Sequence, residues 1–213
     1  MLKATLLACL FAITAAMAAP VAAATATNIA VQAEKVSPLL PGLTVPAITL
    51  KDKAGKNVDL AERFAEKTTV LIVYRGGWCP YCSKQLASIQ KIEQQIADLG
   101  AQIIAVSPDS PAKLAETKID SPNYQLLSDD SLALSQALGL AFYLDDKTAT
   151  IYRNKLGVNF VSLDGKEKVA LPVPAVFVID QKGLVHFQYA NPNYKVRLTE
   201  NLLLAAVKSV AEQ

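Results

Sequence analysis

Residues 68–106 change hydrophobic period twice without a break, and this leaves the chain few architectures to choose from. Thr68 to Tyr74 is a β-branched, almost wholly apolar run, the pattern of a strand buried on both faces. From Pro80 the period becomes helical. Leu86, Ile89, Ile92, Ile96 and Leu99 recur at three- and four-residue spacing, and Gly100 predicts the stop. Ala101 to Val106 reads as a strand again. Such a crossover makes its two strands parallel and right-handed, so the fold class is α/β.

The flanking elements fit that frame. Ala47 to Lys51 suggests a strand, Ala54-Gly55-Lys56 a turn, and Leu60 to Phe64 a short helical turn. Pro111 to Ile119 reads as helix, Tyr124 to Leu127 as a short strand, and Ser131 to Leu138 as a helix ended by Gly139. Ala175 to Ile179 is a second buried strand, turned by Gln181-Lys182-Gly183 into a hairpin partner, Leu184 to Tyr189. Thr199 is positioned to cap a last helix with apolar positions at Leu202, Leu203, Ala206 and Val210. Residues 141–170 follow neither period.

The first 26 residues read as a secretory signal rather than structure. Lys3 supplies the positive region and Leu6 to Ile13 the apolar one. Ala16-Met17-Ala18 and Ala22-Ala23-Ala24 are both small-x-small cleavage patterns. The alternative is an uncleaved anchor, but a spanning helix needs about 20 predominantly apolar residues, and Ala, Thr and Pro20 dilute this one. Cleavage removes Cys9 and leaves Cys79 and Cys82, in an exported protein expected in the bacterial periplasm. Residues 27–44 read as a linker, with Pro38, Pro41 and Gly42 opposing regular structure, and residues 45–213 as one domain.

The two remaining cysteines are suited to chemistry rather than to stapling. A disulfide across two intervening residues closes a tiny loop and constrains little of the unfolded chain. Structural zinc needs four ligands, and the chain has one histidine, His186. Haem attachment needs His after the second cysteine, where Ser83 stands. Neither a metal nor a cofactor is therefore expected, although two thiolates could still pass copper to a partner. A formal net charge of +2 with no Lys/Arg run excludes a nucleic-acid partner on electrostatic grounds. Placement favours redox use. The pair sits between a buried strand and the first turn of an amphipathic helix, where free N–H groups and the helix dipole favour a thiolate at Cys79. Pro80 fits an early helical position, since the N–H it lacks would be unpaired there anyway.

Val70-Leu71-Ile72-Val73-Tyr74-Arg75-Gly76-Gly77-Trp78-Cys79-Pro80-Tyr81-Cys82 resembles the active-site segment of the peroxiredoxin-like branch of the alkyl hydroperoxide reductase and thiol-specific antioxidant (AhpC/TSA) family. Val106-Ser107-Pro108-Asp109-Ser110, Leu126-Leu127-Ser128-Asp129 and Pro174-Ala175-Val176-Phe177-Val178-Ile179-Asp180 match in the family order. The resemblance implies a thioredoxin-like fold, a mixed sheet flanked by helices with peroxiredoxin-type extra elements. Asp109 and Asp129 are expected to shape loops.

The family holds two chemistries. Its peroxidases carry Pro-x-x-x-Thr-x-x-Cys and an Arg six residues before the late Asp. In this chain those Pro, Thr and Arg positions hold Arg75, Cys79 and Pro174. Trp78 and Pro174 instead resemble thioredoxin, whose cis-proline shapes a substrate-docking edge, here at Val173; a trans proline starting a strand is the alternative. The expected function is thus an exported thiol–disulfide oxidoreductase with an antioxidant role. Cys79 attacks a protein or small-molecule disulfide, Cys82 resolves, and a thiol donor completes the cycle. Trp78, Pro80, Tyr81, Val173 and Pro174 are the candidate substrate-side residues, and Arg75 is an electrostatic candidate. The alternative is a thiol-dependent peroxidase reducing hydroperoxides, with Cys82 attacking and Cys79 resolving. A redox-regulated binding module or copper chaperone comes third. If peroxide is the substrate, another group must supply the missing donor, with Arg75 and Arg153 the first candidates.

Overall fold

The 68–73 run is apolar at every position but its first two because both of its faces meet protein. In the computed structural model, which describes residues 28–117, 121, 123–156, 161–163 and 166–212, this run is the strand β3 at the centre of a seven-stranded sheet. The strands in chain order are β1 (Thr49–Lys51), β2 (Asn57–Asp59), β3 (Thr68–Val73), β4 (Ala101–Ser107), β5 (Tyr124–Ser128), β6 (Ala141–Tyr143), β7 (Val161–Leu163), β8 (Lys166–Lys168), β9 (Ala170–Pro172), β10 (Ala175–Ile179) and β11 (Val185–Ala190). The main sheet has the order β11-β10-β3-β4-β5-β1-β2, while β6 pairs with β9 and β7 with β8. β3, β4 and β5 are mutually parallel, and β10 runs antiparallel to β3 with Ala175 opposite Val73. The mixed sheet expected from the sequence is present.

Alternation along β3 divides the core in two. Leu71 and Val73 face one hydrophobic cluster with Ile104, Val106, Phe177 and the helices α1 (Leu60–Glu66) and α5 (Ala133–Ala137). Val70, Ile72 and Tyr74 face the other, with α2 (Pro80–Gln90), α3 (Glu93–Asp98), α4 (Pro111–Ala115) and α7 (Glu200–Ala211). Residues without a clear period in the sequence, 141–170, form β6, α6 (Asp146–Leu156) and the short β7 to β9. Strands of three residues are too short to show a period.

Three details differ from expectation. The helix read from Pro80 to Leu99 is two helices, broken at Ile92 (φ −104°, ψ 7°). Ser88 donates its hydroxyl back to Gln85 O at 2.9 Å, and Lys91 N and Ile92 N make three-residue bonds, which tighten and end the first helix. Thr199 occupies the N-cap of α7, but its side chain makes no capping bond. Leu202 is half exposed, and Val207 takes the buried position beside Leu203.

Residues 28–44 have little regular structure, as their prolines require, but they are strapped to the domain rather than loose. Ala30 N donates to Ala141 O (2.8 Å), Ser37 N to Gly139 O (3.1 Å), Leu39 N to Leu138 O (3.0 Å) and Gly42 N to Val185 O (2.8 Å). Gly139 is left-handed (φ +63°), and a Cβ there would sit 2.0 Å from Ser37 O. Residues 1–26, read as a signal, lie outside the described residues. Gly139→Ala is expected to destabilise the domain by at least about 2 kcal/mol, combining the left-handed penalty with displacement of the strap. Urea unfolding measures the loss, and limited proteolysis should show new cleavage within 28–44.

Candidate active site

The chain leaves β3 at Tyr74, whose N–H still bonds Val106 O (2.9 Å), and must reverse within four residues to begin α2. Gly76 makes this possible. Its φ is +136°, and a Cβ there would meet Trp78 Nε1 at 2.4 Å and Asp109 Oδ1 at 2.9 Å. Asp109 pins the turn by accepting from Gly77 N at 2.7 Å, and also accepts from Ser107 Oγ at 3.2 Å. Burial pushes the Asp109 carboxyl up, and these donors work against that shift. Asp129 accepts from Leu134 N, Ser135 N and Ser135 Oγ at 3.0, 2.9 and 2.7 Å, and burial pushes it up to about 6. Both aspartates shape loops, as expected.

Cys79 is the N-cap of α2, Pro80 its first residue, and Cys82 lies in its first turn. Both thiols are free and buried, with 1% and 0% of their surface exposed. They share one proton unequally. The Cys82 thiol donates to Cys79 and, against the cost of burial, holds Cys79 down to about 6. The Cys82 N–H and the charges of Arg75 and Arg197 add to this. The Cys82 thiol is raised strongly, first by donating to Cys79, then by burial and by the Cys79 charge. The shared proton thus favours the thiolate at Cys79 and the thiol at Cys82.

Arg75 is not a solvated strand-end charge. Only 3% exposed, it donates to Tyr152 Oη at 2.9 Å, and its guanidinium lies 4.2 Å from the Tyr194 ring centre, 5.3 Å from Trp78 and 5.4 Å from Tyr152. Trp78 packs edge-on against Tyr152, and Tyr81, 38% exposed, packs edge-on against Tyr194. Arg197, in the connection from β11 to α7, donates to Cys82 Sγ and to Gln85 Oε1, both at 3.3 Å. The sequence reading missed it. It stands 115 residues from Cys82 and belongs to no motif. Arg153, one of the two arginines expected to matter, is exposed on α6 instead.

The expected docking edge is not available. No peptide bond among the described residues is cis, so Val173–Pro174 is trans. Val173 is fully buried, and its N–H already donates to Leu140 O at 2.9 Å, continuing the β6–β9 pairing. A substrate strand would find that donor taken. Pro174 instead lines a cavity with Arg75 and Tyr152. His186, the remaining metal-ligand candidate of the sequence, bonds Asp180 at 3.0 Å.

A central mixed sheet of this order, with a dithiol at the entrance of the helix that follows its central strand, defines a protein of thioredoxin-like fold. Residues 41–188 match the model of the AhpC/TSA family, and the chain belongs to that family. It is 29% identical over 162 residues to a chloroplastic peroxiredoxin Q of Suaeda salsa, covering 75% of this chain and 64% of that protein. It thus spans about two thirds or less of the first chloroplast relatives. It is 28% identical to peroxiredoxin Bcp of Bacillus subtilis, across 81% of this chain and 97% of that one. Peroxidoxin BcpB of Mycobacterium tuberculosis shares the fold, with a TM-score of 0.59, 20% identity, and 80% of this chain and 97% of that chain covered.

Cys82→Ala removes the donor that does most to lower the Cys79 thiol, so the Cys79 midpoint should rise from about 6 towards the free-cysteine value of about 8.5. Thiolate absorbance at 240 nm against pH reads this directly. An unchanged midpoint would remove Cys82 as the cause.

Proposed function

We propose that this protein is a thiol-dependent peroxidase in which Cys79 and Cys82 cycle between dithiol and disulfide. Arg197 carries the reading: it donates to Cys82 Sγ at 3.3 Å, its charge also favours the Cys79 thiolate, and it brings to the dithiol the charged donor that the motif positions of Cys79 and Pro174 lack. Peroxide reduction draws its rate from donors placed where charge develops on the departing oxygen, whereas disulfide exchange makes no such demand. The AhpC/TSA membership and the peroxiredoxin relatives support the same choice.

The chemistry follows from the proton shared by the pair. The Cys79 thiolate attacks the outer oxygen of a hydroperoxide, the O–O bond breaks, and the departing alkoxide or hydroxide takes a proton from solvent and leaves as alcohol or water, Cys79 becoming a sulfenic acid. Cys82 then attacks the Cys79 sulfur, forming the disulfide and releasing water. A thiol donor supplies two electrons to restore the dithiol. The family register would give the attack to Cys82; both thiols are buried, but donation to Cys79 raises Cys82 and lowers Cys79, which favours Cys79 as the thiolate. Disulfide exchange by the same Cys79 thiolate is the second reading, favoured by the Trp-Cys-Pro-Tyr-Cys entrance to α2. Against a protein substrate stands the occupied edge at Val173.

The leader of residues 1–26 supports export to the periplasm, with Cys9 removed. N-terminal sequencing of the periplasmic product should begin after Ala18 or nearby. Recovery of residues 1–10 in the soluble fraction would defeat export.

Hydrogen peroxide should oxidise the reduced protein to one internal disulfide. In Cys82→Ser, dimedone should trap a sulfenic acid at Cys79, and Cys79→Ser should lose nearly all turnover. Arg197→Met should slow peroxide consumption by about 100-fold or more, the scale seen for lost oxyanion donors, and spare thiol–disulfide exchange. Dimedone labelling of Cys82 in Cys79→Ser at the wild-type rate would return the attack to the family register. Fast insulin reduction with inert peroxide would establish the second reading instead.

A further inference from the structure

Arg197 donates to Cys82 and the charge of Arg75 acts on Cys79, and among the described residues neither arginine pairs with a carboxylate. Each also has a buried Nε with no hydrogen-bond partner. Two cations thus face one shared thiolate in the reduced protein. When the disulfide forms, that negative charge is gone and both cations remain. Burying a cation without a counter-charge is costly, and Arg75 is 97% buried by the 3% exposure of its surface.

Arg75 also lines a cavity of about 560 Å³, within the range of small-molecule sites. Tyr152, Tyr194, Thr148, Asn191 and Asn193 share its wall with the exposed Glu34, which forms no ion pair with Arg75, so a cation and several hydrogen-bonding groups converge on one volume. No carboxylate of the described chain occupies the guanidinium. A guanidinium fork is matched by a planar carboxylate, and aromatic faces around it exclude water.

We propose that this cavity binds the carboxylate of a small-molecule thiol, the reductant of the enzyme, and binds it more tightly when Cys79 and Cys82 are joined as a disulfide. The inference rests on the dithiol cycle described above and adds to it the class of the electron donor and the place where it is held. The thiolate of the bound donor attacks Cys79, forming a mixed disulfide and releasing Cys82 with the electron pair of the broken S–S bond. A second donor thiolate attacks the first donor's sulfur. The two donors leave as their own disulfide, and Cys79 returns as a thiolate. That restored negative charge weakens the hold of Arg75 on the carboxylate, so re-reduction favours release.

Trp78 is the one tryptophan of the chain, and its ring centre lies 5.3 Å from the Arg75 guanidinium, so intrinsic fluorescence reports on this site. The probe is S-methylglutathione, a carboxylated thioether unable to exchange. It should bind the disulfide form about tenfold or more tightly than the dithiol form, the scale set by one unit charge several ångströms away at an effective dielectric of about 20. Its dimethyl ester, which has no carboxylate and keeps only the ammonium charge, should bind neither form, and Arg75→Gln should abolish the redox difference. Equal affinity in both forms, ester binding like the acid, or acetate binding as tightly as the probe would overturn the proposal. The wild-type redox and ester comparisons decide the matter even if Arg75→Gln does not fold. No peroxide is present, so peroxidase activity can fail without affecting the result. Failure of a mild oxidant to remove two hydrogens in the intact mass would overturn both readings.

Discussion

The parallel register of β3 against β4 is the constraint on which the site depends. It aligns Val73 with Val106 and extends one bond further, through Tyr74 N. Both strands therefore end at the same edge of the sheet, and the segments that follow them meet there. The loop after β3 carries Gly76, Trp78 and Cys79. The loop after β4 carries Asp109, which accepts from Gly77 N and so sets where α2 begins. A register shift of one residue would turn every side chain of β3 to the opposite face and separate the two loops.

The electrostatics follow from that placement. The cysteines lie at the entrance of a helix and under the charges of two arginines drawn from different parts of the chain, one before the motif and one from the connection to α7. Among the described residues neither arginine pairs with a carboxylate; their charges favour the thiolate of Cys79, and the hydrogen bond to Cys79 together with burial directs the remaining proton to Cys82. Neutral chemistry, such as strand pairing of a substrate at Val173, is shut off by a backbone bond within the fold. The site is thus organised around charge rather than around a docking edge.

Much of this was legible in the sequence because it is local. The β3–α2–β4 unit announces itself through changes of period, and Cys79 and Cys82 through spacing and placement. The hairpin of β10 and β11 is read from its turn. What escaped depends on distant contacts. Arg197 reaches Cys82 from 115 residues away, and Tyr152 and Tyr194 enclose Arg75 from an unreadable region and a loop. Pro174 was misread because a proline before a strand carries the same local pattern in either isomer; only the bond from Val173 N to Leu140 O shows how the edge is used. The split of α2 from α3 follows from a back-bonding serine that apolar periodicity does not register.

The strap of residues 28–44 has a consequence for the order of folding. Asn28 reaches Gln136, 108 residues along the chain, and Gly42 reaches Val185. Contacts so distant in sequence contribute the loop-closure entropy that makes a topology slow to form, and they are rewarded only once their receiving elements exist. β6 and the β10–β11 hairpin must be in place before the strap has anywhere to bind. Ala33 and Glu34, which border the Arg75 cavity, arrive with it. The earliest part of the domain to be synthesised is therefore the last to be placed, and one wall of the cavity is completed only at the end of folding.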